Sequence, residues 1–141
     1  DMLPVPTFYM SAFFEKDRNL YLQKLSAVSK NNDYATWIKY FLEGVIEQAE
    51  INTIKARAML DRYNEFKDIC VSNMSSKYSI MLLDEIFKRP AFKAKQLQDD
   101  IPGSKGTLYN MLDEFVAKGI LQKDNKVRNA TYVCPAILNL L

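Results

Sequence analysis

Residues 94–134 read AKQLQDDIPGSKGTLYNMLDEFVAKGILQKDNKVRNATYVC, and the fold class turns on this stretch. A short apolar helix from Ala94 to Asp99 runs into a turn, Ile101-Pro102-Gly103-Ser104. A second helix is predicted from about Lys105 to Lys118. Its apolar residues Leu108, Met111, Leu112, Phe115 and Val116 fill one stripe at a period of about 3.6 residues. Ser104 stands where an N-cap hydroxyl accepts the free amides of a first turn, and Gly119 where a left-handed residue ends a helix. Two strand-like runs follow, Ile120 to Lys123 and Ala130 to Val133, around the polar loop Asp124-Asn125-Lys126-Val127-Arg128. Two helices at a turn and then a two-stranded ribbon is the element order of a winged helix-turn-helix.

Outward from this stretch, the chain of 141 residues has room for one ordinary domain or two small ones. It is 48% hydrophobic and 26% charged, a globular balance. Four glycines and five prolines leave long periodic segments intact, which favours helix. No run approaches the roughly 20 apolar residues of a membrane span, and no secretory leader pattern opens the chain. The prediction is therefore a cytoplasmic protein with no membrane partner. Cys70 and Cys134 lie far apart in sequence, and free thiols are expected of them. Residues 74–141 carry 10 Lys and Arg against 7 Asp and Glu, a net +3, while residues 1–73 carry 9 against 10. The mildly basic half is the one expected to meet nucleic acid.

The prolines of Leu3-Pro4-Val5-Pro6 keep the start of the chain out of a helix interior. Phe8, Tyr9, Ala12 and Phe13 then mark a helical face to about Glu15, and a second helix is predicted from about Arg18 to Ser29. Asp33 is placed to cap a third. There Tyr34, Trp37, Ile38, Phe41, Leu42, Val45 and Ala49 make a wide apolar stripe, which thins over 50–57 and resumes as Met59, Tyr63, Phe66 and Cys70. One long helix to about Cys70 and two helices bent near Glu50 fit equally well. Val71 to Ser76 reads as a linker, with Ser75 or Ser76 capping a helix from Lys77 to Lys88. Ala91-Phe92-Lys93 is a short strand suited to pair with the ribbon, Pro135 ends the final strand, and Ala136 to Leu141 are expected to form a last helical turn. The division is into a helical segment, 1–73, and a winged helix-turn-helix domain, 74–141.

The chemistry-bearing residues exclude several classes. With no histidine and two separated cysteines, the usual zinc sites and Ser-His or Cys-His pairs are absent. The adjacent acidic pairs Asp99-Asp100 and Asp113-Glu114 read as solvated charge. Gly103-Ser104-Lys105-Gly106-Thr107 hints at a phosphate loop, but its spacing and context differ from a Walker motif. It reads instead as the turn of the helix-turn-helix, with first-turn amides able to meet a DNA phosphate. Candidate DNA-contacting residues are Ser104, Lys105, Gly106, Thr107, Tyr109 and Asn110 on the second helix, with Lys123, Lys126 and Arg128 in the wing. Asn110 suits adenine and Lys105 suits guanine or phosphate. Asp113 and Glu114 cancel Lys105 and Lys118, which counts against tight non-specific binding. A solvated face, or a contact with protein, is the competing interpretation of the same residues.

Leu3-Pro4-Val5-Pro6-Thr7-Phe8-Tyr9-Met10-Ser11, then Phe14-Glu15, Arg18 and Tyr21, resembles the segment just past the catalytic motif of Fic-domain proteins. The block Trp37 to Val45 (WIKYFLEGV) is similar to the closing helix of that fold. The resemblance covers about residues 2–70, and the second half in fold type only, since many longer Fic proteins carry a winged helix after this helix. It implies the C-terminal portion of a protein that transfers AMP from ATP to a protein hydroxyl. That chemistry needs a His-Pro-Phe-x-x-Gly-Asn-Gly-Arg loop, which this sequence lacks. The resemblance thus implies a chain that begins after the loop, catalyses nothing itself and holds no cofactor, ATP belonging to the full-length family member. Two further classes stand beside it: a supporting wall for an AMP-transfer site, and an unrelated transcription regulator with a helical dimerisation arm. The expected partners are double-stranded DNA or a protein. The apolar face of the first half is expected to be covered by a second copy or another chain, a missing N-terminal part included.

Overall fold

Two aspartates begin the first long helices, each by accepting an amide that the helix leaves unpaired. Asp17 Oδ1 accepts from the Leu20 amide at 2.9 Å, and Asp33 Oδ1 from the Thr36 amide at 3.1 Å. The computed structural model describes residues 10–126 and 129–141. The predicted helical face at Phe8 and Tyr9, and Val127 and Arg128 of the polar loop, lie outside the described residues. The chain is mainly α-helical with one small three-stranded sheet. The helices are α1 (Ser11–Lys16), α2 (Arg18–Asn31), α3 (Tyr34–Asn73), α4 (Ser79–Lys88), α5 (Lys105–Ala117) and α6 (Pro135–Leu138). The strands are β1 (Ala91–Lys93), β2 (Gln122–Lys123) and β3 (Thr131–Val133), with a 3-10 turn at Ala94–Leu97. Asn32 ends α2 in the left-handed region at φ 54°, a conformation asparagine tolerates better than most residues.

Helix α3 is a single unbroken helix of 40 residues, so the alternative of two helices divided near Glu50 does not hold. The thinned stripe at 50–57 is still built from residues that tolerate a helix, with neither proline nor glycine among them. The expected linker is shortened in consequence, because α3 continues through Val71 to Asn73. Helix α4 begins at Ser79 rather than Lys77, and no side chain caps it. Ser76 Oγ accepts from the Tyr78 amide just before it, and Ser75 instead donates its hydroxyl to Glu114.

Two compact units divide inside α3, residues 1–56 and 57–141, where the sequence reading set its boundary at 73/74. The reason is apolar packing: Phe66 and Cys70 are buried with Leu82, Leu83 and Ile86 of α4 and with Leu112 and Phe115 of α5. Met59 and Tyr63 pack against the same core, and the Tyr63 hydroxyl donates to Asp84 at 2.7 Å. The last turns of α3 therefore serve as a core helix of the second unit.

In that unit the sheet order is β1-β3-β2, antiparallel throughout. Phe92 pairs with Tyr132, and Lys123 pairs with Tyr132 from the other side. The Phe92 and Tyr132 rings stack at 5.8 Å and both are buried. The short apolar helix expected over Ala94 to Asp99 is a 3-10 turn ending at Leu97, held by the Gln96 side chain accepting from the Lys93 amide at 2.7 Å. Both cysteines are free and buried.

In the first unit, Phe14 meets Tyr21 of α2 and Trp37, Tyr40 and Phe41 of α3, with ring centroids 4.8–6.4 Å apart. Of the aromatic residues expected in this core, Tyr34 is 58% exposed and is not part of it. Ile38, Leu42 and Ile46, on successive turns of α3, are also more than half exposed. The stripe thus exceeds what α1 and α2 cover.

Candidate nucleic-acid interface

Helix α5 is positioned by its own ends. Ser104 Oγ accepts from the Thr107 amide at 3.1 Å and lies 3.0 Å from the Thr107 hydroxyl, closing the first turn. At the other end Gly119, at φ 73°, takes the left-handed conformation, and its amide donates to Val116 O at 2.9 Å. Leu108, Met111, Leu112 and Phe115 are buried, which leaves Lys105, Gly106, Tyr109, Asn110 and Asp113 facing outward.

Beside that face, a cleft of about 460 Å³ opens between α5 and the sheet. Four lysines line it from four different elements: Lys93 of β1, Lys95 of the 3-10 turn, Lys105 at the first position of α5 and Lys123 of β2. Tyr109 and Tyr132 line it as well, and no carboxylate does among the described residues. The Lys123 ammonium lies 5.5 Å from the centre of the Tyr132 ring. The Tyr132 hydroxyl beside it, and then Asp113, hold this ammonium above its ordinary pKa, so it is charged throughout the neutral range. Among the described residues no donor or acceptor reaches the Tyr132 hydroxyl with hydrogen-bond geometry, although the side chain is fully buried. Asp113 reaches Lys123 from outside the cleft at 3.8 Å, a long and exposed pairing of small energetic value.

The residues named from sequence fall into three groups. Lys105, Tyr109 and Lys123 come together at the cleft. Ser104 and Thr107 are engaged in capping, while Gly106 and Asn110 lie exposed on α5 away from the cleft lining. Lys126 is drawn to its neighbour Asp124, with its ammonium 4.0 Å from Oδ2 and its amide donating to Oδ1 at 3.3 Å. Arg128 is outside the described residues. Sequence reasoning missed Lys93, Lys95 and Tyr132. The alternation of Lys93 and Lys95 about the buried Ala94 was legible, but only the pairing of β1 with β3 brings them to α5.

Glu114 accepts from both the amide and the hydroxyl of Ser75 and keeps its charge, so Lys105 and Lys118 still stand against Asp113 and Glu114. Asp100, expected to be simply solvated, forms an exposed ion pair with Arg89 at 3.0 Å, and Arg89 also donates to Gln96 O. Among the described residues, no three His, Cys, Asp or Glu side chains come together as a metal site, and no helix is long and apolar enough to cross a membrane. No protein-family model matches the chain.

Proposed function

We propose that residues 57–141 form a winged helix-turn-helix that binds double-stranded DNA, with α5 as the reading helix and the β2–β3 ribbon as the wing. The observation that carries this reading is the convergence of Lys93, Lys95, Lys105 and Lys123 on one cleft beside the exposed face of α5. Phosphate contacts by lysine supply sequence-independent affinity and fix orientation, while side chains on the helix read base edges. Asn110 is the exposed residue of α5 best suited to adenine. A protein-docking face would need an apolar centre, and Tyr109 is the one large apolar side chain exposed on α5.

The test is a salt titration of binding to a labelled duplex by fluorescence anisotropy. Each lysine that neutralises a phosphate contributes about −0.9 to the slope of log K against log salt. Replacing Lys93, Lys95, Lys105 and Lys123 together by Gln flattens the slope by as much as about 3 to 4. A slope unchanged in that variant, or no salt-sensitive duplex binding in the wild type, overturns the reading.

We infer further that the chain is the non-catalytic C-terminal region of a cytoplasmic Fic-type protein. Support comes from the two blocks of resemblance, Leu3 to Tyr21 and Trp37 to Val45. An HPFxxGNGR loop in the same reading frame supports this reading, and a reading frame without one overturns it. The second reading is a stand-alone regulator in which the exposed Ile38, Leu42 and Ile46 of α3 serve as a helical dimerisation arm.

A further inference from the structure

We propose that the cleft between α5 and the sheet is a phosphate site, which seats one phosphate group among Lys93, Lys95, Lys105 and Lys123 with the Tyr132 hydroxyl as an additional donor. The inference rests on the DNA reading only for the source of that phosphate, a duplex backbone; a free phosphorylated compound has the same chemistry at the site.

Two independent observations point to an anion. The first is electrostatic. Four like charges stand around one cavity of about 460 Å³, and no carboxylate lines it among the described residues. Such a wall concentrates positive potential, and Lys105 adds to it at the positive end of a 13-residue helix. The second is the Tyr132 hydroxyl, buried without a hydrogen-bond partner among the described residues, in a side chain whose ring lies under the Lys123 ammonium. A protonated lysine has no lone pair, so it gives the phenol's O–H nothing to donate to. Both groups are donors in want of one acceptor. An oxyanion supplies it, whereas a cationic or apolar ligand does not. Lys123 lies over the Tyr132 ring and is tied only loosely to Asp113, at 3.8 Å with Asp113 two-thirds exposed. An arriving phosphate oxygen takes Asp113's place on the ammonium, and the phenol then donates to the same group.

The test follows amide resonances of the full chain during titration with inorganic phosphate at neutral pH, with sodium chloride at matched ionic strength as reference. Saturable shifts at Lys105, Lys123 and Tyr132 are expected with phosphate and not with chloride. Tyr132→Phe keeps the ring on Phe92 and loses only the hydroxyl, and it weakens phosphate binding about five- to tenfold. Lys123→Gln, at an exposed strand position, gives a second variant whose fold is not at risk, and it weakens binding at least as much. The same chains are then titrated with a labelled duplex. Phosphate that binds the cleft and displaces duplex identifies the backbone as its source. Phosphate that binds the cleft of a chain with no affinity for duplex upholds the site and overturns the DNA reading. Duplex binding without saturable phosphate shifts, and unaffected by Tyr132→Phe and Lys123→Gln, overturns the phosphate site and leaves the DNA reading standing.

Discussion

Cys70 shows how one residue's surroundings set its chemistry. Its side chain is 3% exposed among the apolar residues of the second unit, with Sγ 4.0 Å from Ser79 O. Burial disfavours the thiolate and pushes the pKa from 9.0 up to about 11. Burial raises Cys134 in the same direction. A folded pKa above the unfolded one adds stability that is complete below about pH 9 and is lost as pH rises towards 11. Urea denaturation of the wild type should therefore weaken across pH 9 to 11, by up to about 2 to 3 kcal/mol from Cys70. Cys70→Ala, less stable at neutral pH, should show a shallower decline over that range. Equal declines in the two proteins would assign the loss to other groups. At this scale the sequence was informative: two cysteines far apart in sequence read as free thiols, and both are free and buried.

At the scale of elements, helix ends and apolar periods were legible because both are local. Ser104, Asp33 and Gly119 act where their spacing put them, and α5 keeps the predicted buried stripe of Leu108, Met111, Leu112 and Phe115. What local patterns did not reveal is how closely elements approach. At Gly44 of α3, an added Cβ would lie 2.5 Å from Phe13 Cδ1 of α1 and 2.7 Å from Met10 Cε. Gly44→Ala should accordingly loosen α1 from α3 and cost about 1 to 3 kcal/mol by overpacking. Gly106 is the control. Its nearest neighbour would be Ser104 Oγ at 3.6 Å, so Gly106→Ala should stabilise α5 by about 0.5 to 1 kcal/mol. Thermal melts by circular dichroism separate the two; a neutral Gly44→Ala would show that the ring simply moves aside.

For the whole molecule, the feature with the largest consequence is the apolar face of α3 in the first unit. Ile38, Leu42 and Ile46 are 54%, 53% and 60% exposed on successive turns, an apolar row of a kind that soluble monomers seldom leave bare. Self-association through this row is the expected outcome, and it suits either functional reading. Light scattering after gel filtration should give a mass above the 16.3 kDa of one chain. Ile46 is the most exposed of the three, so a charge placed there disturbs the row without touching a core: Ile46→Lys should return the mass to that of a monomer. A wild-type monomer at every concentration tested would remove self-association from both readings.

Local patterns were enough to specify the helical class, the caps and stripes of α5 and the ribbon that follows it, since these depend on neighbours a few residues away. The sequence also excluded histidine chemistry outright. Packing between distant segments is what puts the end of α3 in the second core, leaves Tyr34 outside the first, and joins Lys93 and Lys95 to Lys105 and Lys123. Those outcomes depend on which distant faces meet. The antiparallel pairing of β1 with β3 is what carries two lysines across from one side of the turn to the other. No periodicity within either segment encodes that pairing by itself.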